Sequence, residues 1–325
     1  MGSEKGDKAI LSVSGLRTYF FTKNGTIKAA DDVSFDLRKG EILCIVGESG
    51  SGKTVTALSL LRLIELPGRI VEGKIMFEGK DLLDIPLSEM QELRGNRIAM
   101  IFQDPHSSLN PVLTIGEQII EAMTAHRNLE KSEAKARALE LLRLVEIPEP
   151  ERRFHEYPHQ FSGGMKQRVM VAMALACEPS VLIADEPTTA LDLTIQAQIL
   201  DLFMELRKKF NMSIIYITHD LGVVSELADR IAVMYAGRIM EKGCSEDVLR
   251  NPLHPYTRGL IDCLPSESEK LASIPGTIPG LIDPPEGCIF HPRCSSAMGI
   301  CRKERPGLSR MENEHYVYCF LYGGR

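Results

Sequence analysis

Residues 42–54 read ILCIVGESGSGKT, an apolar run that breaks into a glycine-rich turn ending in Lys53-Thr54. Five consecutive apolar residues, Ile42–Val46, fit a parallel strand buried on both faces. The turn, Gly47-Glu48-Ser49-Gly50-Ser51-Gly52-Lys53-Thr54, matches G-x-x-x-x-G-K-[ST]. Glycines let successive backbone N–H groups converge on one anion, and a helix starting at the lysine adds the positive end of its dipole. Lys53 is placed to reach β- and γ-phosphates, and Thr54 to ligate Mg²⁺. A chance glycine-rich turn requires neither a strand before it nor a helix after it, whereas Thr54–Leu63 reads as a helix.

Three more short apolar runs end the same way. Ile98–Phe102 runs into Gln103-Asp104-Pro105, Val181–Ala184 into Asp185-Glu186-Pro187, and Ile214–Ile217 into Thr218-His219-Asp220. Strands alternating with helical stretches predict an α/β fold with a largely parallel sheet. In such sheets ligands sit at the carboxyl ends of strands. Asp185 is then a candidate for Mg²⁺, Glu186 for polarising an attacking water, His219 for holding the γ-phosphate or that water, and Gln103 for ligating Mg²⁺ through its amide oxygen. Taken singly, the acidic pair could cap a helix, His219 could be structural and Gln103 a loop residue. From about 104 to 178 strand signal is scarce. Ile115, Ile119, Ile120 and Met123 recur at helical spacing, as do Leu139, Leu142 and Val145 within Glu133–Val145, so a helical insert is expected. From Ile10 to Leu37 apolar and polar residues alternate around Lys23-Asn24-Gly25, which predicts an antiparallel hairpin turning at Asn-Gly.

Composition bounds the function. The chain has 325 residues, a prior of about two domains. Its net charge of −6 argues against nucleic-acid binding driven by phosphate contacts. No apolar run approaches the ~18–20 residues that span a bilayer. The start, MGSEKGDKAI, lacks the apolar core of a signal peptide, and Gly6 breaks a myristoylation pattern at Gly2. A cytosolic chain is expected, with any membrane role exerted through a partner.

Cys44, Cys177, Cys244 and Cys263 are scattered and read as small buried hydrophobes. Cys288, Cys294, Cys301 and Cys319 fall within the last 38 residues, spaced C-x5-C-x6-C-x17-C, in a stretch punctuated by proline from Pro252 to Pro306, with Pro265 among them. Such a segment has little regular structure to pack and calls for a staple. Four thiolates suit zinc or an iron–sulfur cluster, and the spacing matches neither the usual structural zinc pattern nor the common ferredoxin ones. His291 and His315 are spare ligands. Four unligated thiols are the plainer alternative.

Ser162-Gly163-Gly164-Met165-Lys166-Gln167-Arg168 resembles the LSGGQ signature of ABC-type ATPases, with Phe161 in place of Leu and Met165 in place of Gln. The resemblance covers about residues 9–245. It implies that Ser162, Gly163 and Gly164 face the γ-phosphate bound by a second subunit in a head-to-tail dimer. It also implies that Gln103 is the Q-loop, Asp185-Glu186 the Walker B pair, Ala190-Leu191-Asp192 the D-loop and His219 the switch histidine. An aromatic of the hairpin stacks on adenine in this family, here Phe20 with Tyr19 as the alternative.

Asn251–Leu260 and Gly287–Cys294, with Cys301 and Cys319, resemble the segment that follows the ATPase domain in dipeptide and oligopeptide importers; nickel and sugar importers share parts of it. The resemblance implies a P-loop ABC ATPase domain over 1–245 and a loop-rich extension over 246–325. It implies ATP and Mg²⁺ as ligands, and a [4Fe–4S] cluster on Cys288, Cys294, Cys301 and Cys319, with Zn²⁺ the alternative. The partners implied are a second ATPase, identical or homologous, two transmembrane permeases and, indirectly, an extracytoplasmic solute-binding protein, at the cytoplasmic face of the membrane. The activity implied is Mg-dependent ATP hydrolysis coupled to peptide uptake. Nickel or another small solute as cargo, a soluble ABC ATPase, and a redox protein with a regulatory ATP site are the rivals.

Overall fold

Strand β1 (Ala9–Thr22) pairs antiparallel with β2 (Gly25–Arg38) as the alternation predicts, with Thr22 opposite Gly25. The turn is therefore Lys23-Asn24, one residue earlier than expected, and Gly25 opens the return strand. Its φ is +130°, and a Cβ there would lie 2.6 Å from Ile282 Cγ2. The computed structural model describes residues 9–189, 191–264, 273–282 and 284–323; Gly2, Gly6, Ala190 and Pro265 lie outside them. Strand β3 (Ile42–Val46) has all five side chains buried and feeds the glycine turn and α1 (Lys53–Leu60). The helix stops short of the expected Leu63 because Arg62 takes a left-handed conformation, φ +52°. Strands β4 (Gly68–Phe77) and β5 (Lys80–Asp81) complete a four-stranded antiparallel sheet ordered β2-β1-β4-β5. Leu11, Val13, Phe35, Leu37, Ile75 and Phe77 form its buried face.

Residues 85–216 form a separate compact unit. After α2 (Leu87–Leu93) and β6 (Ile98–Ile101) the chain is helical, as expected: α3 (Pro105–Ser108), α4 (Ile115–Thr124), α5 (Lys131–Leu144), α6 (Pro150–Arg153) and α7 (Gly163–Ala174). Helix α4 begins with a reciprocal capping box. Thr114 accepts from the Glu117 N–H, and the Glu117 carboxylate accepts from the Thr114 N–H. Ile115, Ile119 and Met123 are buried, and Gly116 lies against the Phe154 ring, where a Cβ would sit 2.4 Å from Cζ. Strand β7 (Val181–Asp185) pairs parallel with β6, Ile98 opposite Val181 and Ile101 opposite Ala184. Helix α8 (Leu193–Phe210) and β8 (Ser213–Thr218) follow, and β8 carries the chain back to the first unit.

That unit, residues 9–84 with 217–323, then adds α9 (Leu221–Leu227), β9 (Arg230–Tyr235) and β10 (Arg238–Cys244). Strand β9 runs parallel to β3 and antiparallel to β10. Beyond it lie α10 (Ser245–Arg250), α11 (Pro255–Asp262) and two two-residue strands, β11 (Ser309–Arg310) and β12 (Tyr316–Val317). These extend the sheet in the order β11-β12-β10-β9-β3, with Glu241 opposite Val317. Of the scattered cysteines only Cys44 and Cys177 are buried; Cys244 is exposed and Cys263 half-buried, so the sequence reading holds for two of the four.

The tail is fixed to the sheet by Glu241, which has no exposure to solvent. Its Oε1 pairs with His315 Nε2 at 2.7 Å and accepts from the Leu253 N–H at 2.8 Å; its Oε2 accepts from the His254 N–H at 2.8 Å. His315 is thereby engaged away from the cysteines and is not a spare ligand. Breaking a buried, hydrogen-bonded pair costs about 3–5 kcal/mol. Glu241→Ala is expected to lower the urea midpoint and make residues beyond 250 the first to be cut in limited proteolysis. Wild-type unfolding and cleavage would show that another contact holds the tail.

Candidate functional site

The glycine turn sits directly on backbone. A Cβ at Gly47 would lie 2.1 Å from the Met234 carbonyl oxygen, and one at Gly52 would lie 2.1 Å from that of Ala29. Gly52, with φ +99°, caps α1, and no acidic residue occupies the first turn of that helix. Ser49, Gly50 and Thr54 are exposed on the outer side of the loop, while Ser51 is buried and accepts from the Gly237 N–H at 2.8 Å. Lys53 curls back across the loop, donating from Nζ to the Gly47 carbonyl at 2.8 Å and the Glu48 carbonyl at 3.1 Å. The result is a helix N-terminus with clustered amides, an exposed hydroxyl and a tethered ammonium group. These are the parts a polyphosphate site needs.

His219 follows β8 in the same unit, exposed, and the next residue, Asp220, caps α9 by accepting from the Gly222 N–H at 2.8 Å. On β1, Tyr19 donates its hydroxyl to Asp31 Oδ1 at 2.7 Å, and burial together with that bond pushes its phenol up to about 12. Phe20 instead faces Gly68, where a Cβ would meet its ring at 2.6 Å. The two aromatics thus occupy different surroundings, and Tyr19 already has a polar partner.

In the second unit Gln103 and Glu186 meet beyond the ends of the paired strands β6 and β7. Gln103 Nε2 donates to Glu186 Oε2 at 3.0 Å. Thr189, which the sequence did not single out, donates its hydroxyl to the same oxygen at 3.1 Å. Glu186 has φ +46°, a left-handed conformation uncommon for a residue with a side chain, and Asp185 before it is 2 % exposed. Ser162 caps α7 by accepting from the Met165 N–H at 3.3 Å, and Gly164 lies against Ile195, where a Cβ would approach Cγ2 to 2.7 Å. Asp192 caps α8, accepting from the Ile195 N–H at 2.9 Å. Ser162 and Asp192 therefore both set helix starts.

The four tail cysteines line one narrow apolar pocket of ≈ 10 Å³, walled by His254, Phe290, Met298, Phe320 and Leu321. The Cys288 N–H donates to the Cys301 carbonyl at 2.8 Å, and Gly287 permits this approach because a Cβ there would lie 2.4 Å from the same oxygen. Burial, with contributions from the other three thiols, pushes Cys288 up to about 11; burial raises Cys294 and Cys319 as well. Cys288, Cys294 and Cys319 thus resist ionisation unless positive charge joins them. Among the described residues no three His, Cys, Asp or Glu side chains converge closely enough to hold a single ion.

Comparison with known proteins agrees with this layout. The pattern of the ABC transporter family matches residues 30–189, and that of the oligopeptide/dipeptide transporter C-terminal region matches residues 240–301. The chain is 51 % identical over 317 residues to the oligopeptide transport ATP-binding protein AppD of Bacillus subtilis, covering 96 % of this chain and 97 % of that one. It is 48 % identical over 314 residues to the dipeptide transport ATP-binding protein DppD of Escherichia coli, covering 96 % of each. Among solved structures it is similar to the dimeric post-hydrolysis state of the ATP-binding cassette MJ0796 bound to ADP and Pi. The TM-score is 0.66 and the identity 27 %, over 72 % of this chain and 98 % of that one.

The contact of Gly52 with the Ala29 carbonyl sets a test. Gly52→Ala must lift the loop, and a displacement near 1 Å costs roughly 100-fold in turnover. Phosphate release at saturating MgATP should fall by that order, while Gly280→Ala, which meets nothing within 4 Å, leaves it unchanged. Equal rates for the two variants would contradict the packed-loop geometry.

Proposed function

The chain belongs to the ATP-binding subunits of oligopeptide and dipeptide ABC transporters, and from that membership we propose that it hydrolyses ATP to energise peptide uptake across the cytoplasmic membrane. The observation that carries the proposal is the packed loop over 47–54, with Lys53 tethered across it, in a chain whose tail matches the peptide-transporter region. No helix among the described residues is long and apolar enough to cross a membrane, so translocation falls to partner permeases. The working assembly we infer is a head-to-tail pair of ATPase subunits, the second identical or homologous, on the cytoplasmic face of two permeases. A solute-binding protein serves them from the other side.

In this reading the loop amides and Lys53 take the β- and γ-phosphates, and Phe20 or Tyr19 stacks on adenine. Thr54, Asp185 and Gln103 supply oxygen ligands for Mg²⁺, which offsets phosphate charge when bound. Glu186 orients the attacking water, its carboxylate pre-set by the bonds from Gln103 and Thr189. His219 holds the γ-phosphate end of that geometry. Ser162, Gly163 and Gly164 close on the partner's nucleotide, and Asp192 belongs to the D-loop that follows Asp185-Glu186 in sequence. Catalysis of this kind is positioning and electrostatics more than covalent chemistry.

For the tail we propose a [4Fe–4S] cluster held by Cys288, Cys294, Cys301 and Cys319, within an extension over residues 246–325. What supports a metal group is that all four thiols line one apolar pocket. The choice of a cluster over zinc rests on the resemblance of the tail to that of peptide importers and on a spacing without the close cysteine pairs of structural zinc sites. Its role in this reading is to staple a segment with few regular elements. Anaerobically purified protein should carry about four iron and four sulfide per chain; one zinc and no visible absorption would move the metal assignment.

The water-orienting role of Glu186 is tested by Glu186→Gln. The variant should bind MgATP with wild-type affinity and hydrolyse it at least about 100-fold more slowly, the scale of lost general-base assistance. Wild-type turnover would remove Glu186 from that role.

A further inference from the structure

Contacts from the C-terminal segment reach the phosphate loop, and the mechanism above leaves them unused. Glu48 is the second residue of the loop. Its backbone N–H donates to Tyr256 Oη on α11 at 3.0 Å. Its carboxylate is held by Arg293, with Nη1 to Oε2 at 2.8 Å and Nη2 to Oε1 at 3.2 Å. Arg293 immediately precedes Cys294, and its side chain is 4 % exposed.

A guanidinium carries five N–H donors, and here there is an acceptor for each. Besides the two bonds to Glu48, Nε donates to the Pro275 carbonyl at 2.9 Å, Nη1 to Tyr235 Oη at 3.4 Å and Nη2 to the Ile274 carbonyl at 3.3 Å. The fork cannot turn without leaving a buried donor unpaired, which is costly. Arg293 is therefore a fixed post to which Glu48 is tied. The carbonyl of Glu48 in turn accepts from Lys53 Nζ at 3.1 Å and from the Ser51 N–H at 3.2 Å. Fixing the Glu48 carboxylate thus fixes the carbonyl that steers the loop lysine.

Charge gives the pair a second task. The ligand of this loop, on the reading above, is a polyphosphate. A free carboxylate in the loop repels such an anion, and a bidentate arginine cancels that charge in place.

We propose that Arg293 is a positioning residue of the nucleotide site, locking and neutralising Glu48, so that the cysteine-bearing segment is a working part of the phosphate loop. The proposal rests on the reading of residues 47–54 as the nucleotide site. It also gives the segment around Cys294 a route to nucleotide affinity through a single side chain.

The test is equilibrium binding of MgADP, with steady-state ATP hydrolysis, on the full chain as wild type, R293Q, E48Q and the double variant, each checked by thermal melting. R293Q should raise the MgADP Kd about tenfold, equivalent to roughly 1.4 kcal/mol. It should raise KM by a similar factor while changing kcat less than about twofold, because the loss is uniform nucleotide binding. The double variant leaves no charge unpaired and should return to within about threefold of wild type. R293Q that melts and binds like wild type overturns the proposal, as does a double variant no better than R293Q. If R293Q does not fold, R293K replaces it: it keeps the charge but not the fork, so an intermediate Kd is expected and a wild-type Kd overturns the proposal. Wild-type protein that binds no MgADP would refute the nucleotide reading itself, a different failure from a wild-type Kd in the variants.

Discussion

Backbone pressed against backbone is the constraint on which the first unit depends. Gly47 meets the carbonyl at the end of β9, and Gly52 meets one on β2, each with no room for a methyl group. The floor is itself tied together, since the Asp31 N–H donates to the Gly237 carbonyl and the Gly237 N–H donates to Ser51, both at 2.8 Å. The hairpin, the β9–β10 turn and the loop thus share one hydrogen-bonded seam. A loop held this way keeps its amides aimed outward before any ligand arrives, so little reorganisation is left to binding.

The second unit solves a different problem. Its carboxylate at the strand end, Glu186, is held in a left-handed conformation that costs of order 1–3 kcal/mol for a residue with a side chain. Gln103 and Thr189 grip one oxygen of that carboxylate. Strain of this kind persists when neighbours over-determine it, and the neighbours here come from the loops after both β6 and β7. The arrangement turns an ordinary strand-ending glutamate into an oriented one.

The buried strands were legible because their chemistry is local. Ile42–Val46 is identical in sequence and structure, and Val181–Asp185 and Ser213–Thr218 differ from the reading by a residue or two at their ends. Strands β9 and β10 were not read: in β10 the charges Arg238, Glu241 and Lys242 interrupt the apolar pattern, whereas in β9 only the first residue, Arg230, is charged and the run Ile231–Tyr235 was an available signal. These charged residues are buried or half-buried by partners far away in sequence: Arg230 pairs with Asp36, Arg238 with Asp31, and Glu241 with His315. Helix α8 was not read either: its first residue, Leu193, is 82 % exposed, but Ile199, Leu202, Phe203 and Leu206 are buried at helical spacing and were an available signal. At the site, the motifs identified Gly47–Thr54, Gln103 and Glu186 as candidates. The tie between Glu48 and Arg293 spans 245 residues, and no periodicity or spacing encodes a contact of that reach.

The central claim is that this loop reads the terminal phosphates of a nucleotide. Calorimetric titration of the purified full chain with MgATP, and separately with AMP, tests it most directly. The account predicts one MgATP per chain and AMP binding weaker by at least about 100-fold, because several charge-assisted bonds to the β- and γ-phosphates are lost. Equal affinity for the two, or no MgATP binding to folded protein, would contradict it.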